Sequence, residues 1–218
     1  MWQQGLDRKL VRKLIKIYAQ EDNWHELDYQ TGNLGYGWIH YGLIRIIKPD
    51  RVLVIGSRYG FIPAVCALAC KDNRIGKIDF VDAGYDQSKE PQDKNHWGGI
   101  GFWKKTDIKK HFNKLDLSDY INFYLMTSVE FARKNIKRRW GYIYLDGDHS
   151  YNGVRSDYRQ FWPKLKKKGY LAFHDIYTDK VGGLNYGVKK FWQEKKKSKR
   201  YNLIEFPGKY GLGIIHKL

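Results

Sequence analysis

The stretch "YIYLDGDHSYNGVRSD", Tyr142–Asp157, decides the fold. It begins as a short, uninterrupted apolar run and passes at once into acids and a histidine. An apolar strand without alternation is one buried on both faces, as in a parallel sheet covered by helices. The segment that follows, "YNGVRSDYRQFWPKLKKKG", reads as a helix, with Asp148 or Ser150 as its N-cap, Pro163 near its end and Gly169 as its stop. Strand, polar turn and helix form the repeating unit of an α/β sheet. Asp146, Asp148 and His149 therefore stand at the carboxyl end of a buried strand.

Outward from this unit the same alternation recurs. "RVLVIG" (51–56), "KIDFVDAG" (77–84), "INFYLMT" (121–127) and "YLAFHDI" (170–176) read as further strands. "WIHYGLIRII", "FIPAVCALACK", "SVEFARKNI" (with Ser128 as N-cap) and "GVKKFWQEKK" read as helices between or beside them. "YNLIEFP" and "YGLGIIHKL" read as a closing hairpin around Gly208. The pattern predicts a Rossmann-like, mostly parallel sheet with helices on both faces and an antiparallel terminal hairpin. The first 30 residues form an amphipathic extension, with Leu6, Leu10, Leu14, Ile15 and Ile17 at helical spacing. The main domain then runs over 31–218. Its one break in rhythm is the polar stretch 84–117, whose Trp97, Phe102 and Trp103 among Gly98, Gly99 and Gly101 suggest an aromatic flap or an ordered insertion.

In 218 residues, 40 are Lys or Arg and 23 are Asp or Glu, a formal net charge of +17. The surplus gathers in "RKNIKRR" (133–139), "KLKKK" (164–168) and "KKFWQEKKKSKR" (189–200). Such runs serve either as a nucleic-acid footprint or as solvated helix faces. Cys66 and Cys70 lie four apart on one helix face with no zinc spacing, so they read as buried reduced thiols, in keeping with a cytoplasmic protein. No signal peptide and no membrane span are expected.

In an open parallel sheet, ligands bind beyond the carboxyl ends of the strands. Those ends here carry "GSRYG" (56–60), Asp82, Thr127-Ser128, Asp146-Gly147-Asp148-His149 and His174-Asp175. "GSRYG" lets backbone approach a ligand at a helix N-terminus but lacks the third glycine of the dinucleotide fingerprint, which argues against a nicotinamide-dependent dehydrogenase. Asp82, 26 residues beyond Gly56, is placed to accept ribose hydroxyls. A cofactor-binding protein without catalysis is a further alternative.

"RVLVIGSRYG", "FVDAG", "YIYLDGDHSYNGVRSD" and "KGYLAFHDI" resemble class I S-adenosylmethionine-dependent methyltransferases, in particular a small bacterial branch with a D-G-D-H-x-Y motif after strand four, similar to catechol-type and sugar O-methyltransferases. The resemblance covers about residues 30–218. It implies a seven-stranded sheet with the last strand antiparallel. It further implies S-adenosylmethionine held by Thr31, Gly32, Gly56, Ser57, Gly60, Asp82, Ser128 and Asp146, with Ser128 touching the adenine and "TGNLGYG" (31–37) cradling the methionine carboxylate. In the metal-dependent relatives it resembles, a carboxylate ends strand four and a ligand pair follows 28 and 29 positions on, so the resemblance implies a divalent-metal site of Asp146, His174 and Asp175, with Mg, Mn or a softer ion. His149 falls where relatives carry the base, with Asp146 and Asp148 beside it and Asp148 expected to orient it. The implied acceptor is a small hydroxylated molecule such as a sugar; an RNA or other nucleic-acid methyltransferase or binding protein on the same fold is the alternative. The extension is compatible with a homodimer contact or part of a lid.

Overall fold

The computed structural model describes residues 6–20, 23–89, 99–181, 183–198 and 200–218. Apolar runs make the strands β1 (Arg51–Ile55), β2 (Lys77–Asp82), β3 (Ile121–Leu125), β4 (Trp140–Leu145) and β5 (Leu165–His174). A two-residue ribbon, β6 (Lys180–Val181) and β7 (Leu184–Asn185), precedes the closing hairpin β8 (Asn202–Phe206) and β9 (Leu212–His216). Seven strands form one sheet in the order β3-β2-β1-β4-β5-β9-β8, parallel except that β9 runs antiparallel to both β5 and β8. The strand order reverses between β1 and β4, which opens a crevice at their carboxyl ends.

Alternate residues of each strand feed two cores. Val52 and Val54 of β1, Phe80 of β2 and Tyr142 and Tyr144 of β4 face one side. There they meet α1 (Arg8–Leu14), α2 (Gly37–Ile47) and α3 (Phe61–Asn73). Leu53, Ile55, Val81 and Leu145 face the other side, against Phe131 of α6 (Ser128–Lys134), Val154 and Phe161 of α7 (Tyr151–Phe161) and Trp192 of α8 (Val188–Lys196). A π-helical turn, Ile15–Ala19, continues α1, and Val11, Leu14, Ile15 and Tyr18 are buried in the first core. Cys66 and Cys70 are free and buried in α3. Among the described residues, no helix is long and apolar enough to cross a membrane.

Two local expectations are corrected. The helix after β4 ends at Phe161, a short 3₁₀ turn follows at Trp162–Lys164, and Leu165–Lys168 opens β5 instead of extending that helix. Lys168 adopts a left-handed backbone (φ 60°) at an irregularity in the β4–β5 pairing, where Lys217 and Gly169 close the turn through backbone hydrogen bonds. The N-cap of α6 is Thr127, in a reciprocal capping box with Glu130, and Ser128 is the first helical residue. Within 84–117, Phe102–Lys105 (α4) and Ile108–Phe112 (α5) are helical, and Trp103 is buried, stacked on Phe112 at 5.9 Å and edge-on to Phe80 at 4.9 Å. Trp103 is thus a core anchor; Trp97 and Gly98 lie outside the described residues.

Candidate active site

A cavity of about 510 Å³ opens at the carboxyl ends of β1, β2, β3, β4 and β5. Gly56, Ser57, Asp82, Ser128, Asp146, Asp148, His149, His174 and Asp175 all line it. At its centre, Gly56 (φ 76°) ends β1 so close to β4 that a Cβ would fall 2.1 Å from the Asp146 carbonyl oxygen. Only glycine permits this turn and this approach together.

On the β2 side, Asp82 accepts hydrogen bonds from the backbone N–H groups of Ser57 (3.1 Å) and Gly84 (2.8 Å). Burial raises its carboxyl to about 6 against the lowering effect of these donors. The Ser57 carbonyl in turn accepts from Trp103 Nε1 at 2.7 Å, which ties the glycine loop to the core. Each Asp82 oxygen keeps lone-pair capacity beyond its one backbone donor, so the acid can take further donors from a bound diol. Ile55, Val81 and Met126 supply apolar walls around it.

On the β4–β5 side, four titratable groups converge. His149 Nε2 lies 3.0 Å from Asp146 Oδ1 and 2.9 Å from Asp175 Oδ2. His174 Nδ1 lies 3.1 Å from Asp175 Oδ2 and 3.8 Å from Asp146 Oδ1. Asp175 takes a left-handed backbone (φ 62°), which turns the chain at the end of β5. Tyr144 donates to Asp146 Oδ2 at 2.9 Å. Burial works against a charge on either histidine, but the hydrogen bonds and charges of the two carboxylates outweigh it; His149 is raised to about 10 and His174 to about 9. For Asp146 and Asp175, burial is likewise overcome by the histidines, and both are lowered. His149 Nε2 thus faces two carboxylates, which favour its protonated form.

Two neighbouring segments complete the cavity. His174 Nε2 donates to the Trp24 carbonyl at 2.8 Å, which pins the segment carrying His25 against the cluster. His25 rests on His174 and Phe61 with ring centroids 4.7 and 5.3 Å away, and burial followed by the His174 charge lowers it to about 3. From the β6–β7 side, Tyr186 covers the His149 ring at 4.7 Å, and Val181 and Leu184 add apolar wall. Tyr18, Trp24, His25 and Tyr186 are site residues that sequence reasoning missed. No strand-end motif contains them.

Three expectations shift. Thr31 and Gly32 lie away from the cavity lining. Thr31 is exposed and donates to Asp28 Oδ2 at 2.5 Å, while Gly32 packs on the Arg8 side chain. Gly60 caps α3 (φ 91°) beneath Phe112 and Trp103, so its smallness serves packing. Asp148 is exposed and accepts from the Ser150 backbone; Asp146 and Asp175, not Asp148, orient His149.

The residues present fit a divalent cation. Ligand atoms of Asp146, His149 and Asp175 all lie within 4.8 Å of one another. Among the described residues, Asp175 Oδ1 is buried with no hydrogen-bond partner, a costly arrangement that a cation would relieve. The expected triad put His174 where this closest group has His149, though both imidazoles touch the carboxylates.

Comparison with known proteins yields a family model described as "Methyltransferase domain", matching residues 53–176. A curated relative, the uncharacterized protein y4gI of Sinorhizobium fredii, is 22% identical over 220 residues covering 94% of this chain. The chain spans only about a fifth of that protein's length (22%). The solved structures share the fold. The SAH-bound Podospora anserina methyltransferase PaMTH1 has a TM-score of 0.65 at 14% identity, covering 99% of this chain and 90% of the other. The Bacillus cereus O-methyltransferase in complex with SAH has a TM-score of 0.65 at 11% identity, covering 99% and 94%. The Streptomyces achromogenes O-methyltransferase TomG, in complex with SAM, has a TM-score of 0.64 at 10% identity, covering 99% and 92%.

Proposed function

The chain belongs to the methyltransferase-domain family, and from that premise we propose that it transfers the methyl group of S-adenosylmethionine to a hydroxyl of a small acceptor. One observation carries the reading. A single cavity joins a half-buried acid suited to a ribose, Asp82, to an acid–histidine cluster at the ends of β4 and β5. The cofactor residues fit a nucleoside. Asp82 offers lone pairs to its diol, Ile55, Val81 and Met126 flank it, and Gly56 leaves the floor flat. The sulfonium then faces Asp146 from the β1–β4 crevice.

Asp146 and Asp175, with His174, would hold a divalent cation, which when bound supplies orientation and polarisation of the acceptor hydroxyl. Asp146 and Asp175 hold the His149 ring toward the cavity and favour its protonated form. In its neutral form His149 accepts the hydroxyl proton as the oxygen attacks the sulfonium methyl, and the methyl–sulfur bond breaks in line. Tyr186, Trp24 and His25 wall off water and align the acceptor. A sugar or other polyol suits a site of this polarity.

The test is incubation with S-adenosylmethionine, a divalent ion and a panel of hydroxylated acceptors, read by mass spectrometry. A methylated product, reduced by chelator and by His149→Ala with cofactor affinity retained, supports the reading. Failure to bind either S-adenosylmethionine or its demethylated product sinks it. A nucleic-acid acceptor is a second reading. It is favoured by a basic groove of about 410 Å³ along α1, lined by Arg8, Lys9, Arg12, Lys13, Lys16 and Tyr29. Steeply salt-dependent RNA retention, reduced by Lys9→Glu with Lys13→Glu, distinguishes it.

A further inference from the structure

Asp157 has no part in the chemistry above, yet it is 4% exposed and lies directly behind the cavity wall. Its Oδ1 accepts the Ser128 hydroxyl proton at 2.6 Å. Its Oδ2 sits behind Gly147, where a Cβ would lie 3.7 Å from it. Ser128 and Gly147 both line the cavity.

The sheet order directs the base of a nucleoside bound in this way toward Ser128. With the ribose at Asp82 on β2 and the sulfonium toward the cluster after β4, the base extends toward the end of β3, where Met126, Thr127, Ser128 and Val129 form the wall. A serine hydroxyl has one proton and two lone pairs. The proton is committed to Asp157, so Ser128 Oγ can offer the cavity lone pairs only. The 6-amino group of adenine is a donor and matches them. A 6-keto purine would bring a second acceptor against them, an unpaired polar contact of the kind that discriminates strongly.

We infer that Asp157 is a positioning residue that fixes Ser128 as an obligate acceptor and thereby makes the cofactor pocket select 6-amino over 6-keto purine nucleosides. The inference rests on the reading of this cavity as the S-adenosylmethionine site.

Calorimetric titration with S-adenosylhomocysteine and its 6-keto analogue S-inosylhomocysteine tests it without any acceptor. At pH 8.5 Asp157 is ionised, since burial raises it only to about 7 against the Ser128 hydrogen bond. Wild type should bind the adenine form about tenfold or more tightly. In Asp157→Asn, the amide can donate to Ser128 Oγ and turn the hydroxyl proton into the cavity, so the ratio should fall about tenfold or invert. Ser128→Ala, a smaller change should the buried asparagine impair folding, should also shrink the ratio. A wild type without preference, or variants that bind S-adenosylhomocysteine and keep the wild-type ratio, overturns the inference while leaving the cofactor reading standing. Wild type binding neither compound overturns both.

Discussion

His149 shows how one residue's chemistry depends on neighbours far along the chain. Its place three residues after Asp146 suggested an ordinary imidazole ready to accept a proton. The fold adds Asp175 from the next strand, and the two carboxylates raise it to about 10. His40 shows the opposite case. It is fully buried, hydrogen-bonded through Nδ1 to the Tyr142 hydroxyl, and burial lowers it to about 3. The unfolded chain binds a proton at His40 below about 6.5 and the folded chain does not, so this residue removes stability as pH falls from about 6.5 toward 3. His40→Gln should therefore flatten the acid limb of a melting-temperature profile over that window. An unchanged limb would show that His40 does not carry it. Gly56→Ala should lower stability by roughly 2 kcal/mol or more, about 4–8 °C in Tm, because the new Cβ collides with β4 in a left-handed turn. A Tm within a degree of wild type would show that β1 and β4 can part cheaply.

Element ends carry most of the site, and element ends are where the sequence was most legible. Apolar runs located the five parallel strands, and the polar residues immediately after them delivered Gly56, Asp82, Ser128, Asp146, His149, His174 and Asp175 to one cavity. Segments that enter from elsewhere were not legible. Trp24 and His25 reach the site because His174 donates to the Trp24 carbonyl, and Tyr186 because the chain returns from β7 over His149. No local pattern announces such crossings. Glycines beside aromatic residues suggested an aromatic flap or an ordered insertion over 84–117, and within it α4 buries Trp103, whose indole N–H donates to the Ser57 carbonyl. Trp103→Phe keeps much of the packing but loses that hydrogen bond. It should weaken cofactor binding by a few-fold through a looser Ser57 loop, with stability falling by about 1–2 kcal/mol. Equal affinity for S-adenosylhomocysteine in the two proteins would detach α4 from the site.

Across the whole molecule, the charge of +17 and the cavity pull on different questions. The charge was legible from composition, but its placement was not. "KLKKK" promised a helix face, and Lys166, Lys167 and Lys168 instead lie exposed on β5, while a basic groove forms on α1. The cavity is where the sheet's reversal, Asp82 at the end of β2 and the acid–histidine cluster come together, so the account stands on what binds there. The most direct measurement is calorimetric titration of S-adenosylhomocysteine into wild type and Asp82→Ala. The account predicts saturable one-to-one binding to wild type and a loss of roughly 1.5–3 kcal/mol in the variant, the scale of hydrogen bonds to a charged acceptor. Absence of binding to wild type, or equal affinity in a folded Asp82→Ala protein, would contradict it.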